Sequence, residues 1–337
     1  MAHALLRGLT VGLVLAVGSC ASAQEVGSRV PESAESESAG PAESSAAAPG
    51  ERTGEEEEKP SGPKRQDMSL LDRIFSVVSQ EDDPDGPINT DRPTFTPANT
   101  VVPKGRLQFE SGWTFNGEKT SQTRASVYDF PELALRYGLM ERVEFRMFWN
   151  GQTFAQQQAR RGGPWRSVNG PGDMEVGFKW QLFPGDEKRK WIPTTALITS
   201  VIAPTGGTSP YSSETVQPYI NLIYGWSVTK KLTLSGSDGY LGIREQGIPY
   251  SLPRSDNFQR WHQSLVAFYT ATDRLTLFYE WYILMFTHAP DNRPDNFMDG
   301  GLLYRLSPNI QVDIRAGFGL SGRPDDFFTG TGFSVRF

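Results

Sequence analysis

The stretch Gly105-Arg106-Leu107-Gln108-Phe109-Glu110-Ser111-Gly112-Trp113-Thr114-Phe115-Asn116 decides the fold. Its odd positions carry Leu107, Phe109, Trp113 and Phe115, and its even ones Arg106, Gln108, Glu110, Thr114 and Asn116. A period of two marks a strand with one greasy and one polar face. A strand of a soluble sandwich holds that period for roughly five or six residues. Here it runs for the roughly nine to eleven that a tilted strand needs to cross a bilayer.

Working outward, the pattern recurs. Leu133, Leu135 and Tyr137 alternate with Glu132 and Arg136, and Val143, Phe145, Met147 and Trp149 with Arg142, Glu144, Arg146 and Asn150. Met174, Val176, Phe178, Trp180 and Leu182 alternate with Asp173, Glu175, Lys179 and Gln181; Ile310, Val312, Ile314 and Phe318 with Gln311, Asp313 and Arg315. Charges at every second position would be unsatisfied in a dry core, so that face meets water or opposite charges. Weaker strands fill 191–203, 215–224, 231–240, 258–270, 274–285, 297–306 and 327–337. The sum is about twelve, an even number as bacterial barrels require. Short connections at 138–141, 184–190, 225–230, 271–273 and 307–309 alternate with longer ones at 152–172, 204–214, 241–257 and 286–296. Residues 105–337 are therefore expected to form an all-β, transmembrane, antiparallel up-and-down β-barrel with both ends in the periplasm.

Composition allows this. The 337 residues are 37% hydrophobic and 12% aromatic, with 34 Gly and a mean hydropathy of -0.43. That is too polar for a bundle of membrane helices, and no run of about 18 apolar residues follows residue 20. A net charge of -6 argues against nucleic acid as a partner.

The segments ahead of the barrel have other roles. Arg7, the apolar stretch 8–18 and Ala21-Ser22-Ala23 read as a signal peptide over residues 1–23. Cys20, the one cysteine, follows Val17-Gly18-Ser19, which resembles a lipobox, so lipidation at Cys20 is the alternative to cleavage after Ala23. Residues 24–66 are Glu, Ser, Ala, Pro and Gly with an acidic run at Glu55-Glu56-Glu57-Glu58, and are expected to be a disordered acidic linker in the periplasm. Residues 67–80 suggest a short amphipathic helix: Ser69 and Asp72 are spaced as a capping box, and Leu70, Leu71, Ile74, Phe75 and Val78 share a face. Residues 81–104 are a lead-in to the barrel.

If the register holds, Arg106, Glu110, Glu132, Arg136, Glu144, Arg146, Asp173, Glu175, Lys179, Asp313 and Arg315 project into the lumen. They either form a charged constriction that filters solutes or pair across strands and fill a narrow interior. In the lead-in, Asp91-Arg92-Pro93 could plug the barrel mouth, with Arg92 on a lumen carboxylate. The favoured reading is a tight turn that starts the first strand, because proline fixes the backbone and cannot donate to a ladder. Trp113, Tyr137, Trp149, Trp180, Trp226, Trp261, Tyr279 and Trp281 suit interfacial girdles.

Several of these stretches also resemble a known family. Asn89-Thr90-Asp91-Arg92-Pro93-Thr94-Phe95-Thr96, Val101-Val102-Pro103-Lys104-Gly105, Pro131-Glu132-Leu133-Ala134-Leu135-Arg136-Tyr137-Gly138-Leu139, Gly170-Pro171-Gly172-Asp173 and Ala203-Pro204-Thr205-Gly206 are similar to the outer-membrane transporters of the phenol-degradation MetA-pathway family. The resemblance implies an outer-membrane channel for passive uptake of small molecules, loosely aromatic or apolar ones. A non-conducting structural barrel is the alternative. A lipid hydrolase is the other: Ser264 and His262 share a strand face in a spacing that resembles outer-membrane phospholipases, yet Trp261, Leu265 and Ala267 make the opposite face the better lipid candidate. The chain is therefore read as no enzyme, with no metal and no cofactor. Expected partners are outer-membrane lipids, a small-molecule solute and the barrel-insertion machinery, which would read the terminal Phe333-Ser334-Val335-Arg336-Phe337.

Overall fold

The computed structural model of the chain describes residues 86–337, apart from 120–122, 160–161, 186–190, 214, 246–255, 288–293 and 322–326. The expectations for the signal peptide, Cys20, the acidic linker and the short helix lie outside the described residues.

Fourteen strand segments occur among the described residues: β1 (Leu107–Lys119), β2 (Thr123–Met140), β3 (Val143–Trp149), β4 (Gln152–Ala159), β5 (Arg166–Pro171), β6 (Met174–Pro184), β7 (Thr194–Ala203), β8 (Gln217–Ser227), β9 (Leu232–Glu245), β10 (Asp256–Thr270), β11 (Leu275–Thr287), β12 (Asp295–Ser307), β13 (Ile310–Gly319) and β14 (Phe327–Arg336). They make twelve staves. β3 and β4 follow one another along the long β2, which pairs with β3 from Leu133 and with β4 up to Phe130. β5 and β6 continue the next stave, against β4 and β3. Every other neighbour is antiparallel and sequential, and β1 pairs both β2 and β14. The sheet therefore closes on itself, which removes the edge that lipid could not satisfy. Leu107 and Phe337 exchange backbone hydrogen bonds at 3.3 and 2.8 Å, so the first and last strands meet at one end of the barrel. This is the twelve-stranded transmembrane barrel that the alternation predicts.

Side chains sort across the wall as that alternation requires. On β10, Arg260, His262, Ser264 and Val266 are buried, while Trp261 and Leu265 between them and Tyr269 beyond are exposed. On β1 the buried Gln108, Glu110 and Thr114 flank the exposed Trp113. The exposed Ile220, Leu222, Leu277 and Ile314 add aliphatic surface to the outside. A barrel that hides its charges and displays its aromatics and aliphatics is built for lipid outside and polar contacts inside.

One long connection is shorter than expected. Residues 152–172, read as an external loop, are mostly the β4–β5 hairpin. Its outer face carries Gln156 beside Phe154, so the greasy alternation that marks the other strands fades there.

Candidate functional site

The lumen is occupied by the lead-in. Residues 86–104 touch inward-facing side chains from opposite sides of the barrel, which only a segment inside it can do. Toward β1, β2, β3 and β6, Asp91 ion-pairs with Arg136 at 3.3 Å, Arg146 at 2.9 Å and Lys179 at 2.9 Å. Toward β10 and β11, the Phe95 and Thr96 amides donate to the Glu280 carboxylate at 2.6 and 2.7 Å. The Thr96 hydroxyl contacts Ser264 Oγ at 2.7 Å. Thus Asp91-Arg92-Pro93 is not the turn that starts β1, which begins only at Leu107. The block lies inside because its partners sit on strands far away in sequence, a relation no local pattern carries.

An ionic knot surrounds Asp91. Arg136 grips Glu144 through two hydrogen bonds of 2.8 Å and reaches Glu110 at 2.9 Å. Glu110 in turn accepts from the Asp91 and Arg92 amides at 3.2 and 3.1 Å, and Glu144 accepts from the Val102 amide at 2.8 Å. Burial alone would raise the Asp91 carboxyl, but Arg136, Lys179 and Arg146 outweigh it and hold the group well below its ordinary value. Arg92 shows the reverse balance: burial would lower it, while Glu132 and Asp313 raise it. Its guanidinium pairs with Glu132 and, at 3.5 Å, with Asp313. It lies over the register pair Gly112 and Gly332, where a Cβ at either position would overlap it. Glycine there is what lets an arginine lie flat against the wall.

The other candidates separate from this group. Arg315 donates to the Pro93 carbonyl at 2.9 Å and to Thr114 at 3.2 Å. Glu175 accepts from Ser200 at 2.6 Å. Arg106 stands at the rim, with Asn309 at 3.2 Å, away from the knot. Asp173 is not a lumen charge facing solute. Seated at the break between β5 and β6, it accepts from Gly206 N, Ser212 Oγ, Ser213 N and Ser213 Oγ at 2.7–2.9 Å, and so ties down the 204–216 connection. That connection tucks Tyr211 against Val127, Ala155 and Val168, with its hydroxyl on the Val168 carbonyl. Of the aromatics, Trp113, Tyr137, Trp180, Trp261 and Tyr279 are exposed on the outside, but the Trp149 indole donates to the Gly172 carbonyl at 3.0 Å.

Above the lead-in opens a cavity of about 280 Å³. Arg92 to Phe95 contribute to its lining, with Glu132, Phe148 and Arg315 on its walls and His262, Tyr282, Phe297 and Phe328 on the aromatic side. The cavity is therefore walled by charged side chains on one side and by aromatic rings on the other.

The family described as "Putative MetA-pathway of phenol degradation" matches residues 90–337, the barrel together with the lumen segment from Thr90. The chain belongs to this family. No curated protein matches its sequence. An outer-membrane channel from Pseudomonas putida F1 shares the fold with a TM-score of 0.54 at 12% identity, over 71% of this chain and 98% of that one. The β domain of the Bordetella autotransporter BrkA aligns with a TM-score of 0.47 at 11% identity, over 69% and 100% of the two chains. The CymD monoaromatic hydrocarbon channel aligns at 0.39 and 9%, over 69% and 89%.

Sequence reasoning missed Glu280, Phe95, Thr96, Tyr282 and Phe297. Glu280 was within reach: Leu275, Leu277, Tyr279, Trp281 and Ile283 form an unbroken apolar face, which leaves Glu280 on the other. Phe278, Tyr282 and Leu284 beside it are also apolar or aromatic, and they disguised that face as greasy.

Proposed function

We propose that this family member is an outer-membrane channel for passive uptake of small molecules, closed in the described state by residues 86–104. One observation carries the reading: between Asn89 and Val102 the segment in the lumen is held by side chains of the wall, and its backbone pairs with the barrel at its two ends, Ile88 with Pro308 and Lys104 with Gly138. A plug bound through side chains can leave without unmaking the barrel. Connections 141–142, 228–231, 271–274 and 308–309 lie at the end where the two terminal strands meet, and 204–213 at the other. That supports a periplasmic N-terminal linker and outward-facing loops. Outer-membrane lipids would contact the exposed aromatic and aliphatic surface, and the terminal Phe337 would mark the last strand for the insertion machinery.

The geometry favours no hydrolase. Ser264 is buried inside the barrel, and its hydroxyl is engaged by Thr96 and Ser237 at 2.7 and 2.9 Å. His262 contacts Asn221 at 3.3 Å. Proteoliposome swelling with neutral solutes of graded size tests the channel. Swelling that falls with solute size is the expected outcome; no swelling with any solute, in the full chain and in Arg92→Ala alike, would leave the structural-barrel reading in its place.

A further inference from the structure

Three rings lie nearly parallel along the aromatic side of the cavity. Phe95 stacks on Tyr282 with centroids 4.3 Å apart and planes 3° from parallel. Tyr282 stacks on Phe297 at 4.9 Å and 16°. His262 meets Phe95 edge-on, at 5.1 Å and 90°. These are the arrangements aromatic quadrupoles prefer. The rungs differ in how they are held. Tyr282 and Phe297 are register partners on β11 and β12, so the barrel ladder fixes them. Phe95 comes from the lead-in, whose backbone pairs with the barrel only near Ile88 and Lys104, away from this ring. A stacking slot, one face of Tyr282 with His262 at its edge, is thus built into the wall, and Phe95 fills it.

We propose that this slot is the channel's solute site, that it takes a single planar aromatic ring, and that Phe95 is an internal occupant which the solute displaces. The slot opens on the cavity of about 280 Å³, just below the size of pockets that hold drug-like molecules and suited to a one-ring compound. The exchange replaces one ring by another on the same faces, so the incoming ring regains the stacking that Phe95 gives up. Arg315 and Thr94 line the same cavity and offer polar contacts to a substituent on the ring. As a statement of which solute the channel admits, this rests on the channel reading above; as a binding site it stands apart from it.

Competition has a measurable signature. A site filled by its own side chain binds ligand more weakly by the fraction of time it is empty. Full-length protein in detergent is titrated calorimetrically with benzyl alcohol and with cyclohexylmethanol, its non-aromatic match. Phe95→Ala is expected to bind benzyl alcohol about tenfold more tightly than the unaltered chain, the factor for a slot that Phe95 fills nine-tenths of the time. Cyclohexylmethanol should bind Phe95→Ala at least about tenfold more weakly than benzyl alcohol. Tyr282→Ala, added to Phe95→Ala, should abolish binding, and Tyr282→Phe should keep it. Heat-modified gel mobility reports whether each variant is folded. Binding confined to Phe95→Ala supports the proposal as well. Equal affinity for the two alcohols, equal affinity with and without Phe95, or no binding to a folded Phe95→Ala would overturn it. Because the titration needs no membrane flux, a channel that fails to conduct leaves this result intact.

Discussion

Asp91 is a carboxylate that has exchanged water for three cations, and the lumen is organised around that exchange. A buried charge is tolerable only while its partners stay, and removing one partner costs about 3–5 kcal/mol because the other charges are left uncompensated. Arg136→Met deprives Asp91, Glu110 and Glu144 of their shared cation. It should therefore lower the midpoint of the heat-modified gel shift markedly, whereas Arg106→Met at the rim should hardly move it. The depressed Asp91 carboxyl also sets a pH window. A group held below its ordinary value of 3.8 contributes fully above that value, and its contribution is lost as pH falls through the lower folded value. The part of the channel's pH dependence that Asp91→Asn removes should therefore lie below about pH 4; a part removed between pH 7 and 5 would contradict this assignment. Residues 89–97 were legible as a conspicuous block, yet their placement was not. Asp91 and Arg92 need partners on β1, β2, β3, β6 and β13, and such pairings leave no trace in local periodicity.

Strands were legible wherever their outer face meets lipid. β1, β3, β6 and β13 stand where strict alternation puts them, because every second side chain there must be apolar. The β4–β5 hairpin was not, since Gln152, Gln156 and Gln158 need no greasy face where a strand outruns the lipid band. Asp173 was misplaced for a related reason. Parity assigns it a face, but the break between β5 and β6 turns it toward the 204–216 connection. Hydrogen bonds to a charged group contribute about 1.5–3 kcal/mol each. Asp173→Ala should free that connection, seen as faster proteolytic cutting within 204–216, while the barrel keeps its gel mobility. Unchanged cutting would mean that Tyr211 in its Val127 and Ala155 pocket holds the connection alone.

At the scale of the whole molecule, two kinds of structure share one lumen. The wall closes as an antiparallel ladder from β1 round to β14, with an edge left at β5, which pairs with β4 alone, and it cannot open without losing backbone hydrogen bonds that lipid would not replace. The lead-in is bound through carboxylates and arginines that can pair anew with water or solute. Alternation, loop rhythm and the family motifs were enough to give the barrel, because the bilayer imposes them on every strand. The state of the lumen depends on a segment the bilayer never touches, so it became visible only in three dimensions. Single-channel recording of the full chain beside a variant lacking residues 86–104 tests this account most directly. Small or brief currents from the full chain and steady, several-fold larger currents from the variant are expected. Equal currents from both, or none from a folded variant, would contradict it.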